Sequence, residues 1–362
     1  MADSPSEEPG VATSDADLSA VHNAGAWVAR WAMRRPQRLA WADDRRSLCW
    51  AEAEERVARL VAWLADTGVG AGDRVALWLG NRTATLEGLF ASARLGAIAI
   101  PVNGRLTPAE VAFQLDDSRP AVVLAEWADR DAAEQAFAQT SVAPPTTLLV
   151  GEDEGGADAY ESALAATTPS PECAAVSTDS AMILMYTSGT TGKPKGALLP
   201  HRKALYNSLN AQLYFDIRSS DRVLVVAPLF HSLGLQILAL PALYAGAGVV
   251  LQQGFDARRV WSTIADRKIS YFGGVPTMHQ RLLEALIEGD PIAEVPEAVR
   301  FAFTAGAAAP PELIRAFHER GLMMKQGYGQ TETSILTCLE PEDALAKAGS
   351  VGRPVFHADL RL

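Results

Sequence analysis

Residues 186–196 have the sequence YTSGTTGKPKG, and they continue the apolar run MILMY at 182–186. The apolar run predicts a buried β-strand, and the glycines after it allow the backbone to approach a ligand closely. Hydroxyl side chains and the amines of Lys193 and Lys195 add hydrogen-bond donors around that backbone. Because consecutive backbone N–H groups in such a loop form a concave anion site, the stretch predicts a polyphosphate-binding loop at the end of a strand.

This loop is not a Walker A motif, which needs Gly-Lys followed at once by Ser or Thr at the start of a helix. Here Pro194 follows Lys193, and a second Lys and a Gly come after it. A flexible surface loop is the alternative interpretation of any glycine-rich segment. The length and the order of residues in this string favour the phosphate-binding interpretation.

Strands and helices alternate on both sides of the loop. Residues 51–66 place apolar side chains at helical spacing, and residues 107–110 have the form of a capping box with proline at the first helical position. The other predicted elements are the strands VALWLG (75–80), AVVLA (121–125), VLVVA (223–227), GVVLQ (248–252), RFAFTA (300–305) and LMMKQ (322–326), and helices at 276–288 and 310–320. The alternation predicts an α/β fold of two subdomains, each a mostly parallel β-sheet flanked by helices. Ligands then bind at the carboxyl ends of the strands.

Composition excludes several classes of protein. The 362 residues carry 32 Lys and Arg against 43 Asp and Glu, a formal charge of -11, which argues against nucleic acid as a partner. Three cysteines far apart in the sequence exclude a disulfide scaffold. Residues 1–20 lack the basic start and apolar run of a secretory signal, which predicts a disordered acidic tail and a cytoplasmic protein. The uncharged stretch 223–255 is broken by proline and glycine, which favours a strand–helix–strand unit over a membrane span.

A connection rich in Pro, Gly, Ser and Thr at 140–180 indicates a boundary between subdomains. The predicted organisation is a tail at 1–20, an N-terminal α/β subdomain at 21–180, a second α/β subdomain at 181–354 that carries the ligand motifs, and the start of a truncated β subdomain at 355–362.

A second motif, QGYGQTET at 326–333, ends the last predicted strand. Its two glycines let the chain turn tightly, and Tyr328 offers an aromatic face on which a purine can stack. The Thr331 hydroxyl can donate to a phosphate oxygen, and the Glu332 carboxylate is a hard oxygen ligand that suits Mg²⁺. The alternative is a structural tyrosine turn with a helix-capping Thr-Glu pair.

Two further segments follow predicted strands. PLFHSLG at 228–234 carries His231, for which the alternative is a satisfied core histidine. TAGAAAP at 304–310 combines small residues, which let a flat ring approach the backbone, with a proline at a helix start. By itself this segment is only a strand–helix turn.

Together these motifs resemble the adenylate-forming superfamily, which comprises acyl-CoA synthetases, luciferases and the adenylation domains of peptide synthetases. The resemblance covers most of the chain, through GDRV at 72–75, NGRLT at 103–107 and GSVGRP at 349–354. Gln330 stands where peptide-synthetase domains usually carry proline, and KPKG at 193–196 is intact where fatty acyl-AMP ligases usually depart from it. The chain is therefore most similar to acyl-CoA ligases.

The resemblance implies that ATP and CoA are cosubstrates and that Mg²⁺ is the metal ion. It also implies a role for each motif. The implied catalytic residues are Thr187, Lys193, Lys195 and Glu332, of which Thr187 and Glu332 would hold the metal. The implied nucleotide-binding residues are Thr187, Ser188, Gly189, Thr190, Thr191, Gly192, Lys193, Lys195, Gly306, Ala307, Ala308, Gln326, Gly327, Tyr328, Gly329 and Thr331. The implied acid pocket comprises His231, Leu233, Leu235, Gly273, Gly274, Val275, Ala305, Ala307 and Gly327.

The implied reaction has two halves. A carboxylate attacks the α-phosphorus of ATP and releases pyrophosphate, and the CoA thiol then attacks the acyl-AMP and releases AMP. Catalysis rests on positioning and on neutralising charge. Because the pocket residues are small or apolar, with no Lys or Arg among them, we expect a hydrophobic monocarboxylic acid, whether fatty, alicyclic or aromatic.

Members of the superfamily continue past the position of Leu362, through a ribose-binding Asp motif and a small mobile domain that carries a lysine. We therefore expect a truncated or partial chain that binds its ligands without turnover. Two alternatives stay open. One is an acyl-AMP ligase that loads an acyl carrier protein, and the other is a non-catalytic acyl-adenylate-binding half-enzyme that needs a partner chain.

Overall fold

The computed structural model describes residues 21–143, 145–188 and 193–361. The predicted acidic tail at 1–20 lies outside these residues, and so do Gly189, Thr190, Thr191 and Gly192 of the predicted phosphate loop. Within the described residues, two β-sheets form the frame of the molecule and helices cover their faces. Both sheets are largely parallel, which confirms the predicted α/β fold class.

The strands are named here in chain order. They are β1 (Leu39–Ala42), β2 (Ser47–Cys49), β3 (Arg74–Trp78), β4 (Ile98–Pro101), β5 (Val122–Glu126), β6 (Thr146–Val150), β7 (Ala181–Thr187), β8 (Lys195–Pro200), β9 (Arg222–Val225), β10 (Gly248–Leu251), β11 (Tyr271–Gly274), β12 (Phe301–Thr304), β13 (Met324–Gln330), β14 (Ser334–Cys338) and β15 (Arg353–Pro354). Sheet A has the order β15-β14-β13-β12-β11-β9-β10-β1-β2, and sheet B has the order β6-β5-β3-β4-β7-β8. The antiparallel pairs β1–β2, β7–β8, β13–β14 and β14–β15 lie towards the sheet edges.

Helices connect these strands. They are α1 (Trp27–Arg34), α2 (Trp50–Asp66), α3 (Thr83–Arg94), α4 (Pro108–Ser118), α5 (Arg130–Phe137), α6 (Ala159–Ala166), α7 (His201–Phe215), α8 (Leu240–Ala245), α9 (Ala257–Asp266), α10 (Pro276–Glu288) and α11 (Pro311–Glu319). Short 3-10 turns occur at Ala24–Ala26, Trp127–Asp129 and Pro341–Asp343. A π-helical segment, Leu233–Ala239, leads directly into α8.

Helix α4 begins where its capping box predicts. The hydroxyl oxygen of Thr107 accepts from the N–H of Glu110 at 3.4 Å, and the Glu110 carboxylate accepts from the N–H of Thr107 at 2.8 Å. Pro108 occupies the first helical position, where its missing N–H is not needed. Helix α2 likewise buries the apolar stripe that its periodicity predicts.

Strand β13 is longer than the sequence predicts. The expected strand ended at residue 326, but β13 continues to Gln330 because Gly327 to Gln330 pair antiparallel with β14. The second motif therefore belongs to a strand and the turn after it. A strand was also expected within 355–362, whereas β15 lies at Arg353–Pro354 and residues 355–361 are outside any strand.

Strand pairing distributes the chain between the sheets differently from the predicted boundary at residue 180. Strand β1 comes early in the chain but pairs with β10 of sheet A, with Trp41 opposite Val249. Strand β7 comes after residue 180 but pairs with β4 of sheet B, with Ile183 opposite Ala99. The division into domains stays a prediction.

A core of aromatic rings fills the space beside β1. Trp41 stacks on Phe90 with ring centroids 6.0 Å apart, and it packs edge-on against Trp50. All three rings are buried. The tryptophans concentrated in the early part of the sequence thus tie β1 of sheet A to helix α3, which packs against strands of sheet B.

Asn81 links the two sheets at the end where ligands are expected. It lies shortly after β3 of sheet B and is buried. Its amide nitrogen lies 3.1 to 3.2 Å from three carbonyl oxygens of sheet A and its extensions, those of Val225, Ala227 and Gln252. Its amide oxygen accepts from the N–H of Leu229 at 3.0 Å. One side chain thus fixes the ends of β3, β9 and β10 relative to one another.

The uncharged stretch at 223–255 forms most of β9, the π-helical segment, α8 and β10, which agrees with the predicted strand–helix–strand unit. No helix within the described ranges is long and apolar enough to cross a membrane.

Candidate active site

Two cavities lie side by side where β7, β9, β12 and β13 end. The apolar cavity has a volume of about 340 Å³, and the loop cavity has a volume of about 330 Å³. His231 and Thr331 line both cavities and form a shared wall between them. The parallel strands bring these positions together, although a hundred residues separate them in the sequence.

The apolar cavity takes its walls from sheet A and from the π-helical segment. Its apolar lining comprises Pro228, Leu233, Ile237, Val275, Phe303, Ala305 and Ile335. Gly327 of β13 also lines it, and a Cβ there would lie 2.9 Å from the carbonyl oxygen of Thr337 and 3.0 Å from Cζ of Phe303. A larger residue at 327 would therefore displace the wall. No charged side chain lies among the described lining residues.

The structure brings part of the predicted acid pocket together. His231, Leu233, Val275, Ala305 and Gly327 all line the apolar cavity. The wide helical turn that carries Leu233 is of a type often found at functional sites.

Four predicted pocket residues do not line this cavity. Leu235 is buried in the main apolar core, because the π-helical segment turns it away from the residues that line the cavity. A Cβ on Gly273 would lie 2.9 Å from Leu238, and one on Gly274 would lie 3.3 Å from Met278, so both glycines are covered by neighbouring side chains. Ala307 is exposed beyond the end of β12.

The loop cavity borders the described ends of the predicted phosphate loop. Its lining includes Tyr186, Thr187, Ser188 and Pro194. Thr187 pairs with Lys195 across β7 and β8, and the Thr187 hydroxyl donates to the carbonyl oxygen of Lys195 at 3.4 Å. Lys193 and Lys195 are exposed. The two strands thus anchor the loop at both ends and place two ammonium groups beside it.

Tyr186 fixes the base of this loop. Its hydroxyl donates to the carboxylate of Asp117 at 2.7 Å. Burial raises the pKa of the Tyr186 phenol, and the Asp117 carboxylate raises it further. The phenol therefore stays protonated and acts as a structural donor between β7 and helix α4.

A tight turn, Thr331–Ser334, joins β13 to β14; we refer to it as the motif turn. Ser334 is fully buried with a left-handed φ of 59°. Its carbonyl oxygen lies where a Cβ of residue 329 would be, so the turn requires Gly329. The turn places Thr331 in the shared wall and leaves the Glu332 carboxylate exposed.

The described residues contain no group of three or more His, Cys, Asp or Glu side chains that could hold a metal ion alone. Mg²⁺ commonly binds one or two protein carboxylates and takes further ligands from substrate phosphates and water. The exposed Glu332 carboxylate fits that pattern, and the Thr187 hydroxyl lies on the cavity that Thr331 also lines. These residues fit a magnesium ion that arrives with a polyphosphate.

Two buried polar side chains lie next to each other at the ends of β12 and β13. Thr304 pairs with Gln326, and both are buried. Neither the Thr304 hydroxyl nor either amide atom of Gln326 has a hydrogen-bond partner among the described residues. Neither residue lines the two cavities, so what these two side chains contribute is their position at the ends of β12 and β13.

The residues after these two offer an open platform. Gly306, Ala307 and Ala308 are exposed. Tyr328 is 43% exposed, and its hydroxyl accepts from the Gln330 amide at 3.1 Å, which restrains the ring. Small residues that expose the backbone and an aromatic face together suit a flat heterocycle such as a purine.

His231 lies at the mouth of both cavities, and its ring centroid is 4.5 Å from that of Phe230. Partial burial lowers the pKa of His231, and the Arg105 charge lowers it further. The imidazole is therefore neutral at pH 7. It can order an anionic ligand through a hydrogen bond without adding a fixed charge.

The sequence analysis missed several residues of the site. Phe303 is two residues before Ala305 in the predicted strand 300–305, so strand alternation could have placed it on the same wall. Ile335 is the second residue of β14, an element that was not predicted. Lys203 of α7 donates to the carbonyl oxygen of Thr331 at 2.8 Å, and no pattern in the sequence indicates that long-range contact.

The chain is similar to known proteins over most of its length. The model of the family described as AMP-binding enzyme matches residues 28–362. A feruloyl-CoA synthase of Amycolatopsis sp. is 35% identical over 339 residues, which are 93% of this chain and 65% of that protein. The long-chain-fatty-acid–CoA ligase FadD13 of Mycobacterium tuberculosis is 33% identical over 318 residues, which are 86% of this chain and 61% of that protein. The chain thus spans less than two thirds of these relatives.

A solved structure has the same fold over nearly the whole chain. It is the crystal structure of the anthranilate CoA ligase AuaEII in complex with anthranoyl-AMP, with a TM-score of 0.86 and 27% identity. The match covers 97% of this chain and 68% of that one.

Proposed function

The chain belongs to the AMP-binding enzyme family, and on that basis we propose that it activates a hydrophobic carboxylic acid with ATP. The product is an acyl-AMP, which the whole protein converts to a CoA thioester. The observation that carries the proposal is the wall shared by His231 and Thr331. These two residues bring an uncharged cavity next to a cavity bordered by the described ends of the predicted phosphate loop, so an acid and a nucleotide phosphate could meet there.

The first step joins the contents of the two cavities. A carboxylate oxygen of the acid forms a bond to the α-phosphorus, and the bond from that phosphorus to the bridging oxygen of pyrophosphate breaks. The shared wall would hold the acid and the α-phosphate within reach of each other, which removes much of the entropic barrier. Thr331 would donate to a phosphate oxygen, and neutral His231 would order the carboxylate without neutralising it.

Charge is the main obstacle, because an anion attacks an anion. Lys193 and Lys195 beside the loop would stabilise the departing pyrophosphate. Glu332 and Thr187 would hold Mg²⁺, which when bound neutralises phosphate oxygens. In the second step the CoA thiol attacks the acyl carbon, AMP leaves, and the thiol proton passes to solvent. No covalent bond to the protein is needed in either step.

The substrate we propose is a monocarboxylic acid with an aromatic or other compact apolar group. The walls of the apolar cavity are apolar or aromatic, with Phe303, Ile237 and Ile335 among them. A second carboxylate would find no cation among the described lining residues. The names of two similar proteins, a feruloyl-CoA synthase and an anthranilate CoA ligase, also favour an aromatic acid.

The test is ligand-dependent thermal unfolding with non-hydrolysable acyl-adenylate analogues that carry an aryl, a long-chain fatty or an aminoacyl group. A ligand present at a hundred times its Kd stabilises the folded state by about 2.7 kcal/mol. We expect the aryl analogue to stabilise the protein most and the aminoacyl analogue least. Thr331→Val should weaken that stabilisation, whereas the control Thr147→Val, on the exposed side of β6, should not. Absence of stabilisation by every analogue and by Mg·ATP would refute the proposed function.

A further inference from the structure

Lys203 of α7 connects three parts of the site that are far apart in the sequence. Its ammonium donates to the carbonyl oxygen of Thr331 at 2.8 Å and to the hydroxyl oxygen of Ser334 at 2.6 Å. It also donates to the side-chain oxygen of Gln236 in the π-helical segment. An ammonium group has three N–H donors, and each has an acceptor here. The lysine therefore has no donor left for a ligand, and its contacts are with the protein.

A second side chain on the same face of α7, that of Asn207, also contacts the π-helical segment and β14. Asn207 lies one helical turn after Lys203. Its amide nitrogen donates to the carbonyl oxygen of Gln236, and its amide oxygen accepts from the N–H of Ile335 at 3.3 Å. Two side chains of one helix thus hold both the π-helical segment and the start of β14.

The turn that Lys203 holds is strained. Ser334 has a left-handed φ of 59°, a conformation that is sterically unfavourable for a residue with a side chain. Such a conformation persists where the surroundings determine it. The Ser334 hydroxyl accepts from Lys203 and donates to Gln236 at 2.9 Å, so both hydrogen bonds of the Ser334 side chain are made with Lys203 or with another acceptor of Lys203.

The Glu332 carboxylate near Lys203 favours the ammonium form, against the effect of burial. Burial lowers the pKa of Lys203 to about 7, and the nearby Glu332 carboxylate opposes that change. The Lys203 ammonium is thus close to Glu332, the proposed metal ligand, but its hydrogen bond is to the backbone of Thr331.

We propose that Lys203 is a positioning residue that fixes the motif turn against α7 and the π-helical segment, and so presents Thr331 and Glu332 to Mg·ATP. The inference rests on the proposed function. It adds a residue outside both cavity linings, and it connects the nucleotide side to the wall that holds Leu233 and Ile237.

The test compares two ligands by titration calorimetry on the full chain: Mg·ATP, which needs the motif turn, and adenosine, which needs only the platform around Tyr328. In Lys203→Met the Kd for Mg·ATP should rise about tenfold, which corresponds to about 1.4 kcal/mol. The Kd for adenosine should stay unchanged. A purely structural role would shift both constants or neither.

Lys325 provides the matched control. It is a second lysine between α7 and β13, its pKa is also lowered by burial, and it donates to the carbonyl oxygen of Tyr214. Lys325→Met should lower the melting temperature and leave the ratio of the two Kd values unchanged.

The possible results of these titrations distinguish the positioning role of Lys203 from its alternatives. Equal changes for Mg·ATP and adenosine in Lys203→Met, or no change in a folded variant, would overturn the positioning role. If that variant fails to fold, Ser334→Ala keeps the lysine and removes one acceptor, and it should raise the Kd for Mg·ATP alone by about threefold. An unchanged Kd there would overturn the inference. No binding of Mg·ATP by the unaltered chain would instead refute the proposed function.

Discussion

The carbonyl oxygen of Ser334 lies in the space that a Cβ on Gly329 would occupy. This relationship makes two positions of the motif turn depend on each other: the serine holds its left-handed conformation, and the glycine leaves room for the carbonyl group. The turn can form only when both conditions hold, and it determines where Thr331 lies.

Gly329→Ala should therefore remove Mg·ATP binding from a protein that still folds. The added methyl group would overlap the Ser334 carbonyl oxygen and push the motif turn away from the shared wall. We expect titration calorimetry to show at least a tenfold higher Kd, or about 1.4 kcal/mol. Gly70→Ala is the control, because a Cβ there would meet only Asp73 at 3.9 Å. Normal Mg·ATP affinity in Gly329→Ala would contradict this account of the turn.

Glu332→Gln should remove the effect of magnesium on nucleotide binding. The amide keeps the shape of the side chain but loses the charge that binds Mg²⁺. Titrations of ATP with and without Mg²⁺ should give similar Kd values in the variant, whereas magnesium strengthens binding to the unaltered chain. Glu319→Gln, at an exposed position of helix α11, should behave like the unaltered chain. A magnesium effect of normal size in Glu332→Gln would place the metal elsewhere.

Stability should fall as the pH is lowered from about 6.5 to about 4. Burial lowers the pKa values of His201 and His279 to about 4, below the usual 6.5. In that interval the unfolded chain binds more protons than the folded one, because the buried imidazoles stay neutral in the folded state. The contribution of these histidines to the free energy of unfolding is therefore fully present above pH 6.5 and is lost as the pH falls towards 4. Each histidine accounts for about 3 kcal/mol, since one pKa unit equals about 1.4 kcal/mol.

Urea unfolding at several pH values measures this effect. His201→Gln keeps an acceptor for the N–H of Ala24, which now donates to Nδ1 of His201 at 3.2 Å, and it should reduce the pH dependence of stability between pH 6.5 and pH 4. His22→Gln, at an exposed position, should leave the dependence as it is. A slope in His201→Gln equal to that of the unaltered chain would rule out His201 as a source.

Ala305→Leu should separate acid binding from nucleotide binding. Ala305 lines the apolar cavity of about 340 Å³, and the added atoms would occupy space that an aryl group needs. The aryl-adenylate analogue should lose at least about tenfold in affinity, while adenosine should bind as before. Ala163→Leu, on helix α6 away from both cavities, is the size-matched control. Unchanged affinity for the aryl analogue would move the acid site out of this cavity.

The sequence was informative wherever a local rule acts on neighbouring residues. The capping box at Thr107 and Glu110 and the apolar stripe of α2 were confirmed because both depend on contacts within one or two helical turns. The motif at 186–196 could be placed at a strand end because the strand before it is apolar and short.

The sequence was uninformative where a contact crosses the fold. Strand β14 was not predicted, so the length of β13 and the place of Ile335 in the cavity were missed. Leu235 was expected in the pocket because it lies close to His231 in the sequence, but a π-helical segment does not follow the periodicity of an α-helix. The bonds of Lys203 to Thr331 and Ser334 depend on the packing of α7 against a distant turn.

The position of β1 next to β10 sets an order in which the molecule can assemble. During synthesis, β3, β4 and β5 can pair as soon as they have been made, because their partners are close in the chain. Strand β1 has to wait until Gly248–Leu251 has left the ribosome before it has a neighbour on that side. Such long-range pairing is slow, and the edge of β1 that faces β10 stays unpaired while residues 43–247 are being made. An unpaired strand edge can pair with another chain, so β1 is a point at which the growing chain is open to aggregation until β10 is complete.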